Sequence, residues 1–347
     1  MSGPIAIAVS GGVDSLVSAY LLKQQQSDVF GIHFLTGYVK PTESGIEGLK
    51  AMGRQLDLPV VVVDLKEQFK AMVVDYFTAA YRNGETPNPC LVCNPAIKFG
   101  ALLDEARQLG ASRLATGHYA RVEGGQGTRY RLRRGVDEIK DQSYFLSRLT
   151  QDQLARACFP LGTLTKAKVK ALAAAKGLQP LTRQESQDVC FIRDTGYADF
   201  LIRTTGIRPQ PGDIVDTAGH RVGTHSGLHR YTVGQRRGIN CPASAAYYVV
   251  RLDTRRNRLV VGFKDELAAD SCRVGDINWI AGVPDGPMQA DTRIRYRHKA
   301  VPATVSPVGH DCAEVRFDQP QTAVTPGQGA VFYRGDEVIG GGWIVAE

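Results

Sequence analysis

The stretch Ile5-Ala6-Ile7-Ala8-Val9-Ser10-Gly11-Gly12-Val13-Asp14-Ser15 decides how the rest of this 347-residue chain reads. Five small apolar residues run into Ser-Gly-Gly-x-Asp-Ser, after which Val13, Leu16, Val17, Tyr20 and Leu21 recur at helical spacing. That order of signals predicts a buried parallel strand, a tight turn and an amphipathic helix. The glycines permit backbone angles other residues avoid and let a ligand approach closely. The turn offers successive N–H groups, the hydroxyls of Ser10 and Ser15 and a helix N-terminus, all suited to a phosphate or pyrophosphate. It is not a Walker A loop, since no Gly-Lys-Ser/Thr follows, nor the dinucleotide-binding glycine fingerprint. The plain alternative is an N-capped turn with Asp14 or Ser15 as the cap.

Working outward, VFGIHFL at 29–35, VVVVDL at 60–65 and the shorter RLAT at 113–116 read as further buried strands, with helical patterns between them near 45–57, 67–82 and 96–109. Alternation of this kind predicts an α/β fold with a doubly wound parallel sheet, whose ligands lie beyond the carboxyl ends of the strands. Ser10 to Ser15, Phe34-Leu35 and Gly117-His118 all fall there. Helical signals continue at 142–158 and 165–176. After about residue 195 glycine, proline and short β-prone runs take over, at 212–215, 247–252 and 259–263. The last seventy or so residues alternate like a small barrel, with turns expected at Pro302, Pro307, Pro320, Pro326-Gly327 and Gly340-Gly341-Gly342. The expected domains are a catalytic α/β domain at 1–195, a central β-rich domain at 196–270 and a C-terminal β-barrel at 271–347.

Composition is that of an ordinary globular protein, 43% hydrophobic and 22% charged. No stretch has the length of a membrane span, and the chain enters a strand at once rather than a signal segment, so a cytoplasmic protein is expected. A net charge of +7 permits a polyanionic partner without demanding one. Seven cysteines, an odd number in a large chain, argue against a disulfide scaffold.

Two of the cysteines stand in Thr86-Pro87-Asn88-Pro89-Cys90-Leu91-Val92-Cys93-Asn94, a proline-stiffened loop before an amphipathic helix, and a third is Cys190. Thiols near a helix N-terminus are better nucleophiles and ligands. Incidental thiols, a zinc site lacking its fourth ligand, and a three-thiolate iron–sulfur cluster with one open iron all satisfy the spacing. A run of Arg293, Arg295, Arg297 and Lys299, alternating with Ile294, Tyr296 and His298, would place four cations on one face if it were a strand. Such a face suits phosphates, and a solvated basic edge is its plain alternative.

With these residues in view, the chain resembles the tRNA-specific 2-thiouridylases. The turn itself resembles the pyrophosphatase loop of enzymes that split ATP to AMP and pyrophosphate. The resemblance runs in order through residues 10–15, 86–99, 115–120 (Ala-Thr-Gly-His-Tyr-Ala), 140–146 (Lys-Asp-Gln-Ser-Tyr-Phe-Leu), 186–192 around Cys190, 231–238, 295–298 and 323–328, and so covers essentially the whole chain. It implies ATP-dependent 2-thiolation of the wobble uridine: AMP is transferred to the 2-oxygen, and sulfur then displaces AMP. It implies that Ala8, Val9, Ser10, Gly11, Gly12, Val13, Asp14, Ser15, Phe34 and Gly117 contact ATP. Cys93 would be the nucleophile or first sulfur-site thiol and Cys190 the persulfide-carrying partner. Asn88, Pro89, Cys90, His118, Lys140, Asp141, Gln142, Arg295, Tyr296 and Gln328 would contact tRNA. ATP and Mg2+ are the implied cofactors, with Asp14 a candidate to orient the metal. The partners are tRNA and a sulfur donor, either a sulfur-carrier protein or inorganic sulfide. Most of the family has Asp where this chain has Cys90. That replacement creates the Cys-x-x-Cys and points to a 4Fe-4S cluster on Cys90, Cys93 and Cys190. The text at 36–44 also differs from the family's, which leaves the contact of Phe34 open to Leu35. The rival readings are another ATP-pyrophosphatase, such as an amidating ligase, and a tRNA-binding protein without catalysis.

Overall fold

The computed structural model describes residues 3–25, 28–38, 43–125, 127–182, 189–192, 196–206 and 208–346. The sequence readings at 39–42, at 186–188 and at the 195 boundary lie outside them. The first four strands are β1 (Ile5–Ala8), β2 (Val29–Leu35), β3 (Val60–Asp64) and β4 (Arg113–Ala115). A hairpin, β5 (Ala120–Gly125) and β6 (Thr128–Arg134), and the short β7 (Ala157–Cys158) follow. The order β3-β2-β1-β4-β7 is parallel throughout, so the expected doubly wound α/β sheet is present. The chain steps outward from β1 through β2 and β3, then returns to β4 on the other side of β1. The switch point is therefore between β1 and β4, where the turns after both strands flank one crevice.

The five-residue apolar run of the opening motif is explained by burial on both faces. Ile5, Ile7 and Val9 pack with Leu16 and Val17 of the helix Val13–Gln25 and with Val169 and Ala173. Ala6 and Ile32 point into a second core with Phe69, Phe77, Leu91 and Phe99. At roughly 1.5–3 kcal/mol for each large apolar side chain buried, these two layers dominate what fixes β1 in place.

Four strands, β8 (Gly212–Val215), β9 (Arg221–His225), β10 (Tyr248–Asp253) and β11 (Arg258–Gly262), form a separate sheet around Ile214, Val249, Leu259 and Val261. Six more strands are β12 (Ala268–Asn278), β13 (Met288–Arg293), β14 (Val301–Val308), β15 (Cys312–Thr322), β16 (Gly329–Arg334) and β17 (Glu337–Ile344). They run β12-β15-β14-β13-β16-β17, and β17 pairs back with β12, which closes a barrel around Val274, Val305, Val315 and Phe332. The hairpin β5–β6 then adds to β17, pairing Leu132 with Val338 and Arg133 with Glu337. Arg121 and Arg133 grip Asp336 there, at 2.5 and 2.7 Å. A piece of the N-terminal half thus continues the barrel sheet.

Several local expectations are corrected. Residues 142–158, read as helical, hold two short helices, Ser143–Leu146 and Gln151–Arg156, and end in the short strand β7. Gly340, Gly341 and Gly342 lie inside β17, not in a turn. They are small because a Cβ on Gly340 would come within 2.7 Å of the Asn278 carbonyl, and one on Gly341 within 2.8 Å of Ser147 Oγ. Pro302 and Pro307 sit one residue inside the ends of β14, and Pro320 lies in β15 beside its irregular pairing with β12, places where a missing N–H is tolerated. The basic run leaves the sheet after Arg293, so its four cations do not share a strand face. Among the described residues no helix is long and apolar enough to cross a membrane.

Candidate active site

The turn after β1 is closed by its own side chains. Ser15 Oγ donates to the Gly12 carbonyl at 3.0 Å and accepts from Ser10 N at 3.2 Å and Ser10 Oγ at 3.3 Å. Gly11 has φ of 86°, a region where a Cβ is strained. Val9 N–H donates to the Ile32 carbonyl at 2.9 Å, and His33 Nδ1 donates to the Val9 carbonyl at 2.7 Å, so the strand end is tied to β2. Burial lowers the His33 pKa, which keeps that ring neutral. Phe34 is half-buried at the end of β2 and packs against the core.

Two distant elements converge on Asp14. Tyr119 Oη donates to Oδ1 at 2.8 Å, and Lys166 Nζ donates to Oδ1 at 2.7 Å and Oδ2 at 2.6 Å. A Cβ on Gly117 would stand 3.0 Å from the Asp14 carbonyl carbon and 3.1 Å from Ser15 N, so the turn after β4 presses directly on the turn after β1. The Asp14 carboxylate is thus an ion-pair partner at the mouth of the turn.

The thiols lie on the other wall. Asn88 is extended, with φ −114° and ψ 92°, and Pro89 occupies the first position of the helix Pro89–Cys93, where a missing N–H costs nothing. Asn94 Nδ2 donates to the carbonyls of Cys90 at 3.0 Å and Phe145 at 2.9 Å. The helix continues through π turns over Asn94–Leu102. The barrel clamps the approach to it. Thr86 N–H donates to the Pro326 carbonyl at 2.9 Å, and Gln328 Nε2 to the Thr86 carbonyl at 2.8 Å. A Cβ on Gly329 would run into Leu91, and Tyr144 Oη donates to the Gly329 carbonyl at 3.0 Å.

Cys90 and Cys93 are half-buried, Cys190 is exposed, and none of the three is in a disulfide. Burial pushes the Cys93 thiol up to about 12; the Lys98 ammonium pulls it down, and Cys190 and Cys90 push it up further. Cys90 and Cys190 thus both act on the charge of Cys93. Yet among the described residues no group of three or more His, Cys, Asp or Glu side chains is placed to hold a metal ion. A cluster needs its thiolates gathered around one iron core. The arrangement of the described residues therefore gives no support to the 4Fe-4S cluster that the Cys-x-x-Cys spacing pointed to.

One segment joins the two walls. Lys98 Nζ donates to His118 Nε2 at 3.2 Å, and His118 Nδ1 meets Thr116 Oγ1 at 2.6 Å. An ammonium only donates, so Nε2 is the acceptor and Nδ1 carries the hydrogen. Burial, then the Lys98 charge, hold the His118 pKa well below its usual value. Residues 116–119 thus touch the lysine that acts on Cys93 and, through Gly117 and Tyr119, the phosphate turn.

Several residues expected at the RNA face also brace the fold. Asp141 is 3% exposed and accepts from Gly135 N at 3.1 Å, Ser143 Oγ at 3.0 Å and Arg293 Nη1 at 3.3 Å. Gln142 exchanges hydrogen bonds with the Tyr119 main chain at 2.9 and 3.1 Å. Lys140 N–H donates to Asp137 at 3.2 Å. Arg293 turns inward, donating to the Tyr296 and His298 carbonyls and lying over the Tyr144 and Tyr296 rings. Tyr296 stacks on Phe145 at 4.2 Å, while Arg295, Arg297 and Lys299 are exposed. Sequence reasoning assigned no role to Lys98, Tyr119 or Lys166. Their partners lie 20, 105 and 152 positions away. Only Lys166, a cation at a helix start, carried a readable signal.

Three family models match in succession. The one described as a tRNA methyl transferase HUP domain covers residues 4–194, a tRNA methyl transferase PRC-barrel domain 198–263, and an aminomethyltransferase beta-barrel domain 269–344. A tRNA-specific 2-thiouridylase from Desulfosudis oleivorans is 55% identical over 344 residues, which covers 99% of this chain and 95% of the relative. One from Geotalea uraniireducens is 45% identical over 353 residues, 98% and 94% of the two chains. Among solved structures, a U34-tRNA thiolase from Methanococcus maripaludis with its 4Fe-4S cluster is similar at 18% identity and TM-score 0.37, covering 54% of this chain and 61% of that one. A likeness of that size carries nothing over to this chain.

Proposed function

The chain belongs to the tRNA-specific 2-thiouridylase family, and on that premise we propose that it uses ATP to replace the 2-oxygen of the tRNA wobble uridine with sulfur. The observation that carries this reading is the segment 116–119, which abuts the phosphate turn at Gly117 and Tyr119 and reaches the cysteine side through Lys98. Activation and sulfur delivery must reach the same carbon, so the two sets of groups have to share a crevice.

The uridine leaves the anticodon stack to enter it, as base-modifying enzymes require. Its 2-oxygen attacks the α-phosphate of ATP, and pyrophosphate departs. The N–H groups of residues 10–15 and the helix N-terminus receive that charge. A nucleotide-bound Mg2+ takes one or two carboxylates plus phosphate oxygens, and Asp14 would supply one if its Oδ2 opened from Lys166. When bound, the ion would neutralise charge on the departing pyrophosphate. A persulfide on Cys190 then adds its outer sulfur to carbon 2, and AMP leaves. The Cys93 thiolate takes the inner sulfur, which forms a Cys93–Cys190 disulfide and releases the thiocarbonyl. An external thiol reductant returns both cysteines. Cys93 loses its proton in this step, and Lys98 favours that form against burial.

The division into 1–195, 196–270 and 271–347 is proposed on the same grounds, supported by the parallel sheet, the four-stranded sheet and the barrel, although the hairpin β5–β6 of the first part extends the barrel sheet and β12 begins at Ala268. Exposed Arg295, Arg297 and Lys299 are assigned to tRNA phosphates and the sulfur donor to a carrier protein or sulfide. The cytoplasm, where such a tRNA substrate is found, is assigned as its location. The test is to incubate purified protein with unmodified tRNA, ATP, a persulfide donor and a thiol reductant and to digest the tRNA to nucleosides. We expect 2-thiouridine only when ATP is present. TRNA that binds but stays unmodified, with ATP intact, would overturn the reading.

A further inference from the structure

Lys166 sits where neither helix stability nor burial favours a lysine. It opens the helix Lys166–Ala175, behind Thr165, whose hydroxyl accepts from Lys168 N–H at 3.3 Å. The first turn of a helix carries partial positive charge, so a cation there works against the helix dipole. The residue is also only 9% exposed, and lysine is rarely buried without a partner. Asp137 Oδ2 accepts the Lys166 N–H at 2.8 Å and relieves the helix end, but it does not engage the ammonium. Nζ instead reaches both carboxylate oxygens of Asp14, at 2.7 and 2.6 Å, and stands 5.9 Å from the Tyr119 ring centre. A buried ion pair seldom stabilises a fold more than an apolar pair of the same size. Stability alone therefore does not account for a lysine here, whereas the location of Asp14 in the phosphate turn does.

We propose that Lys166 is a positioning residue for nucleotide binding: with Tyr119 it orients the Asp14 carboxylate at the mouth of the turn and balances that carboxylate's charge against the ATP polyphosphate. This rests on the ATP reading above. Without Lys166, a lone carboxylate would face the incoming phosphates, and nothing but the Tyr119 hydroxyl would set its rotamer.

The experiment measures ATP binding at equilibrium, the KM for ATP in tRNA-dependent pyrophosphate release, tRNA affinity and melting temperature for wild type, Lys166→Met, Lys166→Arg and Tyr119→Phe. Lys166→Met should raise the ATP KM roughly ten- to a hundredfold, the scale of a lost charged hydrogen bond. Lys166→Arg should recover part of this, because it keeps the charge and can grip a carboxylate with two donors. Affinity for tRNA should not change. Tyr119→Phe removes only the bond to Oδ1 and should raise the KM severalfold; it carries the test if Lys166→Met does not fold. A purely structural pair would lower the melting temperature and leave the KM alone. A KM within twofold of wild type in folded Lys166→Met, or in Tyr119→Phe should Lys166→Met not fold, overturns the inference while leaving the ATP reading intact. Wild type that neither binds ATP nor releases pyrophosphate overturns both.

Discussion

The backbone of the phosphate turn is closed by bonds among residues 10–15, with Thr182, Tyr119 and Lys166 bracing it from outside, whereas the cysteine helix is held by Phe145, 51 positions from Asn94, and by Gln328, 242 positions from Thr86. The two walls of one crevice are thus built in different ways. The turn follows from its own backbone chemistry. The cysteine wall is braced by the barrel through Thr86, Gln328 and Gly329. Its thiols therefore depend on packing far away in the chain, and a perturbation of the barrel should act on sulfur delivery before it acts on the nucleotide.

That contrast can be broken from either side. The largest effect is expected at Gly117, where a side chain would push into the backbone of Asp14 and Ser15. Gly117→Val should slow pyrophosphate release by about 10²-fold, the cost of displacing reacting groups by an ångström. Alkylation of Cys190, followed by mass spectrometry, should keep its rate. At Gly329 the reverse is expected. A side chain there drives into Leu91, so Gly329→Val should slow 2-thiouridine formation roughly tenfold by shifting the cysteine helix, with ATP affinity unchanged. Equal losses in both readouts for either variant would mean that the walls are not separately supported.

The smallest effect concerns the histidines tied to the two walls. His33 and His118 are both held below their usual value mainly by burial. The folded state then binds fewer protons than the unfolded state once the pH drops below about 6.5, so their contribution is complete above that value and is lost as the pH falls. Each should cost up to about 1.4 kcal/mol at pH 5.5, measured as urea stability against pH. His118→Gln and His33→Gln should each flatten the curve, and no flattening in either would contradict the neutral, buried assignment.

The difference between the walls also explains what the sequence made legible. β1, the Gly11 turn and the helix after it could be read because apolar period, glycine and hydroxyl signals sit within consecutive residues. The parallel sheet followed from the same alternation. The hairpin β5–β6 was missed because its pairing partner, β17, lies some two hundred positions on, and its own strands are as charged as they are apolar. Gly340 to Gly342 were read as a turn because close approach of Asn278 and Ser147 leaves no trace in the local text. Asp141 carries a motif-borne RNA role in sequence, yet its oxygens are consumed by Gly135, Ser143 and Arg293. Cysteine spacing puts Cys90 and Cys93 on neighbouring helical turns but says nothing of where Cys190 lands, and a cluster requires all three.

The most direct test of the shared crevice is Cys93→Ser in a single turnover with ATP, unmodified tRNA and a persulfide donor, following pyrophosphate and 2-thiouridine in the same sample. Pyrophosphate should still appear, while 2-thiouridine falls by at least about 10³-fold, as loss of a covalent nucleophile does. Thiolation at the wild-type rate would contradict the account.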